Sequence, residues 1–148
     1  MANHIRQQIR EAIATAVTGL ATTGARVYQS RVYPLETANL PALLVYSDSD
    51  TSEPMTIHAP RVLQRSLSVR VVAIAKAVAD VDDTLDKICK EVETALANPV
   101  SGLTMAKTVT LTGTQLEMVG TAEQPAGAAN MQFQIDYFNA ENAPDVAL

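Results

Sequence analysis

The sequence predicts an α+β fold, a mixed, largely antiparallel sheet of about five strands with two amphipathic helices on one face, in the order α-β-β-β-α-β-β. Three observations carry that reading. Apolar residues recur at helical spacing in two segments, one near the start of the chain and one after residue 80. Runs that alternate, or are rich in β-branched residues, occupy much of the remainder. Finally, 148 residues at 47% apolar content suffice for one core but not for a separate cofactor domain. A single domain is expected over 1–140, with 141–148, polar and small, as a flexible tail.

Ile5, Ile9, Ala12, Ile13, Ala16, Val17 and Leu20 fall on one stripe, which predicts a first helix capped by Asn3 and ended at Gly19 or Gly24. Arg26 to Tyr33 reads as a short strand closed by Pro34. Ala42 to Ser47, the end of an apolar run that starts at Leu40, reads as a buried strand. Asp48 to Pro60 has the composition of an irregular loop, yet Met55 and Ile57 sit inside it. Its length makes it either a contact arm or a plain surface excursion.

Arg61 to Ala75 alternates through Leu67, Val69, Val71 and Ala73 and is the longest strand. Asp80 is placed to cap a second helix. Asp82 and Asp83 oppose its dipole, and Val81, Leu85, Ile88, Cys89, Val92 and Leu96 form its stripe until Asn98-Pro99 stops it. Lys107 to Val119 and Met131 to Phe138 read as strands that pair, with Gly120 to Asn130 as a mobile loop between them. Strands 42–47 and 67–74 are apolar on both sides, and the helices supply one layer. Some sheet surface or edge is therefore expected to meet another subunit.

Composition narrows the function. Charged residues make up 18%, against about 25% in an average soluble domain, and the net charge is −5. The bases are scattered singly, so the chain lacks the clustered Lys and Arg that grip a nucleic-acid backbone. No apolar run is long enough to span a membrane, the start lacks the layout of a secretory signal, and a lone cysteine suits a reducing compartment. The chain is expected in the cytosol when made.

Chemical constellations are not visible. His4 and His58 stand apart, no metal-ligand spacing occurs, and Cys89 lies on a helical stripe where a thiol behaves as a small hydrophobe. Asp80, Asp82 and Asp83 could hold a cation, but a helix start accounts for all three. The glycines stand singly, without a phosphate-cradling loop or a nucleophile elbow. The expectation is a protein that is not an enzyme and has no catalytic residue, metal or cofactor.

The run from Arg26 to Tyr46 contains Leu40-Pro41-Ala42-Leu43-Leu44-Val45-Tyr46, followed by Asp48, Asp50 and Glu53. This stretch resembles the tail terminator proteins of long-tailed bacteriophages, the family of the lambda minor tail protein U. There an N-terminal helix and a short strand precede a Pro-Ala strand ending in Val-Tyr and a polar acidic loop. The later order is similar too, with a long strand, a helix opening on acids, and a final alternating strand at Met131 to Phe138.

The resemblance implies a sixfold ring on the last ring of the tail tube, which halts tube growth and offers its other face to head-completion proteins. Its partners would be identical copies, the tail tube protein and a neck protein, with DNA only in transit and no membrane. Its place would be the head-proximal end of the tail in the virion. The contact residues expected are Met55 and Ile57 of the long loop, Pro125 and Gly127 of the late loop, and Arg61, Arg65 and Arg70 as partners for a neighbour's acids. For the arginines, an edge strand kept soluble by charge is an equal reading. Two other functions stay open: a neck or head-completion protein, separable by binding to tails or to filled heads, and a cellular small-ligand module, which needs a pocket of converging polar groups.

Overall fold

The computed structural model describes residues 2–29, 31, 40–97, 99–100, 102–120 and 125–148. Helix α1 spans Ile5–Ala16 and buries Ile5, Ile9 and Ile13 completely. Its cap is His4 rather than Asn3: His4 Nδ1 accepts from the backbone N–H of Arg6 at 3.1 Å. The helix also stops earlier than expected, with Val17 as its C-cap. Gly19 (φ 88°) and Gly24 (φ 56°) shape the turn that follows, a backbone conformation with little cost only for glycine.

Burial, then the Arg6 and Arg65 charges, hold the His4 imidazole below its ordinary 6.5. Only neutral imidazole can accept at Nδ1. With the folded value depressed, the cap contributes stability above pH 6.5 that is lost as pH falls through the lower folded value. His4→Ala should therefore cost about 0.5–1 kcal/mol at pH 7 and less at pH 5, as read from urea midpoints.

The sheet has five strands in the order β1-β2-β3-β5-β4. Strand β1, Val27–Tyr28, runs parallel to β2, Ala42–Pro54. Strands β3 (Val62–Lys76), β5 (Pro125–Ala140) and β4 (Thr108–Gly120) continue it antiparallel. Helix α2, Val81–Ala95, links β3 to β4 and has Asp82 and Asp83 in its first turn. The α-β-β-β-α-β-β order and the pairing of the last two strands match the sequence reading. The described part of the first short strand is confined to Val27–Tyr28, and Tyr33 and Pro34 lie outside the described residues.

Two segments read as loops are strands. Asp48 to Pro54 extends β2, paired with Leu63 to Ser68 across a bulge between Ser47 and Ser49. Its polar residues have low strand propensity, but a long partner strand supplies the backbone bonds that propensity does not. Likewise Pro125 to Asn130 belongs to β5. Ala126, Gly127, Ala128 and Ala129 carry no strand signal in their composition, and at Gly127 packing against α2 requires the small residue. A Cβ added at Gly127 would lie 2.7 Å from Val81 Cγ2 and 3.1 Å from Leu85 Cδ1 on α2.

Both helices cover one sheet face. There Leu43, Val45, Leu67, Val69, Val71, Met131, Phe133 and Ile135 meet the α1 stripe and Leu85, Ile88, Cys89 and Val92 of α2. Each large aliphatic side chain buried here contributes about 1.5–3 kcal/mol. On the opposite face Leu44, Val72, Ile74, Ala126 and Ala128 form a second buried cluster, with Tyr28, Leu40, Tyr46 and Val119 packed against it. Those apolar residues, expected to await another subunit, are thus shielded within one chain. The remainder of that face is polar, with Ser66, Ser68, Gln132 and Gln134. The tail also departs from expectation. Ile5 N–H donates to the Pro144 carbonyl, Leu148 N–H donates to the Phe138 carbonyl, each at 2.9 Å, and Asn139 pairs with Ala147, so 141–148 folds back beside α1 and β5.

Candidate assembly surfaces

The β2–β3 hairpin ends at a corner of the sheet, and every residue from Thr51 to Arg61 is exposed. Met55 (54% exposed) and Ile57 (92%) crown it, so this corner presents uncovered apolar side chains. The tip is nevertheless built. Met55 N–H donates to the Val62 carbonyl at 2.7 Å, and Val62 N–H donates to Thr56 Oγ1 at 2.9 Å. Arg61 donates from its backbone N–H to Glu141 Oε1 at 2.9 Å and from Nη2 to Oε2 at 3.2 Å, which ties the tip to the chain end. These bonds hold the Glu141 carboxyl below its usual range.

A charged network under the N-terminal half of α1 stiffens the hairpin. Arg65 Nη2 donates to Asp50 Oδ2 at 2.6 Å across the β2–β3 ladder, and both side chains are at least nine-tenths buried. Tyr137 Oη donates to the same oxygen at 2.8 Å, Arg6 reaches it at 3.4 Å, and Arg65 Nη1 donates to Asn139 Oδ1 at 3.3 Å. Burial, reinforced by the bond to Asp50, pushes the Tyr137 phenol up. On the helix-free face Arg70 Nε pairs with Asp48 Oδ2 at 3.2 Å.

The arginines expected to reach a neighbour's acids are therefore bound within their own chain: Arg61 to Glu141, Arg65 to Asp50 and Arg70 to Asp48. Their strand is also no edge, because β3 lies between β2 and β5. Pro125 is exposed at the start of β5, whereas Gly127 is buried beneath α2 and presents no loop surface. Of the sequence-predicted set, Met55, Ile57 and Arg61 share the exposed corner, with Arg61 paired to Glu141, whereas Arg65, Arg70, Pro125 and Gly127 lie elsewhere.

Strand β4 was not singled out by the sequence. It is the outer strand beyond β5, and its Leu116 and Met118 are 57% and 64% exposed. The signal was present in the Thr-rich run Thr108 to Gly120, which has Glu117 as its one charge and no proline. An open groove of about 550 Å³ separates the α1–β1 turn from α2, with Leu20, Lys87, Lys90 and Ala95 in its lining. Its carboxylate, Glu91, accepts from the Thr22 backbone and hydroxyl, so polar groups do not converge on the space. Burial, with Glu93 and Asp86 nearby, pushes the Cys89 thiol up to about 11, which keeps it from acting as a nucleophile near neutral pH. Among the described residues no three His, Cys, Asp or Glu side chains gather as metal ligands, and no helix is long and apolar enough to cross a membrane.

A search of the curated proteins finds no match. Among solved structures, a chain from the virion of a native gene transfer agent particle aligns at 16% identity and a TM-score of 0.41 over 90% of each chain, a likeness too loose to argue from. The family model described as phage minor tail protein U, by contrast, matches residues 4–137, from the α1 cap to the buried Tyr137. The chain belongs to the phage minor tail protein U family and is a structural protein of the phage tail.

Proposed function

We propose that this protein is the tail terminator: a ring of identical subunits, six in number, that seats on the head-proximal end of the tail tube, stops its growth and presents a docking face to the neck. The observation that carries the reading is the family match over nearly the whole domain. It is supported by a hairpin corner whose tip is apolar and exposed while its base is locked by a buried ion pair. No bond is made or broken in this role. The work is geometric, since one face must fit the last tube ring yet fail to template another tube subunit.

Rigidity serves that role. A corner held by the Arg65–Asp50 pair and the Arg61–Glu141 clasp gives up little conformational entropy on docking, so Met55 and Ile57 can anchor contact with the tube. The double variant Met55→Asp, Ile57→Asp should keep the stability of the parent within about 0.5 kcal/mol, because both side chains are solvated already. Infection complemented with it should yield tails of uncontrolled length in electron micrographs. Tails of normal length that join heads would refute the tube-contact assignment. An assembly mass far from about 95 kDa, six times 15.8 kDa, both in solution and on tubes, would refute the hexameric ring.

A further inference from the structure

Exposed sheet edges invite pairing, and stable monomers blunt them with Lys, Pro or short strands. Strand β4 does little of this. From Thr108 to Gly120 its one charge is Glu117, it contains no proline, and its single bulge lies between Leu111 and Gly113. Beside the edge, Leu116 and Met118 are exposed on the side of the sheet that carries α2, with Leu85 near them. Such a segment, with a single charge and rich in β-formers, is a template for another strand.

The opposite edge of the same sheet offers a matching strand. Among the described residues, strand β1 covers β2 at Leu43 and Leu44, and the Ser47 carbonyl accepts from the Arg31 guanidinium. Among the described residues, Asp48 to Pro54 has no strand on its outer side. Following the pairings across the sheet, β4 runs opposite to β2. Bringing the β4 edge of one copy to the β2 edge of the next therefore makes an antiparallel ladder, the geometry with the better backbone bonds.

Charge agrees with that direction. The junction brings Lys107, just before β4, to the end of β2 that carries exposed Glu53. Pairing β4 with β4 instead would set Glu117 and Lys107 in a two-fold arrangement that closes at two copies.

We infer that the β4 edge of each copy pairs antiparallel with the Asp48–Pro54 edge of the next copy, so that the sheets run on from subunit to subunit. The inference rests on the ring reading and names the surface that builds it. It is a head-to-tail contact, the class that closes into rings.

The test uses cysteines on the helix-free face, Thr110→Cys in one batch and Thr51→Cys in another, extended to Thr108→Cys and Glu53→Cys, with buried Cys89 left in place. Mixed and oxidised, a β4 variant and a β2 variant should give covalent dimers that neither gives alone. Lys107→Glu should weaken self-association about two- to fivefold per junction, and adding Glu53→Lys should restore it. Covalent dimers from Thr110→Cys alone would overturn the pairing in favour of β4 with β4. A species near 95 kDa that forms no cross-link in any combination, or is unmoved by Lys107→Glu, would overturn the junction while leaving the ring standing. A chain monomeric in solution and on tubes would remove both.

Discussion

Arg65→Met should lower the free energy of unfolding by about 3 kcal/mol, because it leaves the Asp50 carboxylate buried without its cation. The Asp50 side chain is 2% exposed, and Arg65 is its close partner at 2.6 Å. The Tyr137 hydroxyl at 2.8 Å and the half-exposed Arg6 at 3.4 Å remain, which places the loss at the lower end of the range for a broken buried pair. The companion variant, Arg65→Met with Asp50→Leu, should recover part of the loss, since it removes the unpaired buried charge but takes the acceptor from the Tyr137 hydroxyl and the Arg65 donor from Asn139. Urea denaturation of the two variants and the parent reads the difference. A single variant within 0.5 kcal/mol of the parent would show that the pair does not hold the hairpin base.

Gly127→Val should cost about 1–3 kcal/mol by overpacking. The Cβ alone would approach Val81 Cγ2 at 2.7 Å and Leu85 Cδ1 at 3.1 Å, and two further methyl groups would press the start of α2 away from β5. The contacts are side-chain ends, so Gly127→Ala should cost less than the valine variant. A Val81→Ala change should relieve part of the strain in Gly127→Val, whereas purely additive losses in thermal midpoint would place the cost in the backbone of β5 instead.

How much of this was legible in the sequence differs by element. The α1 and α2 stripes and the alternation of β3 were visible because helix and strand periods write themselves into the order of apolar residues. The residues named there, from Ile5 to Val17 and from Leu85 to Val92, are the ones that meet the sheet. Asp48 to Pro54 was not legible, since its strand state comes from pairing with β3 and not from its own composition. The partners of the arginines were not legible for a related reason. Asp48 and Asp50 come within reach of Arg70 and Arg65 only once the hairpin sets the register, so charges that look free along the chain are already paired. Met55 and Ile57 were legible as unusual, being apolar within a polar run, and the fold leaves them uncovered.

The sequence by itself determined the class of fold, the order of its elements and the two faces that form the core, because local periodicity needs no partner to be read. Only the tertiary structure decided that β3 is central and β4 an edge, that Gly127 is a packing site beneath α2, and that residues after 140 return to α1. Strand order and the partners of buried charges depend on which distant segments come together, and no local pattern of residues encodes that.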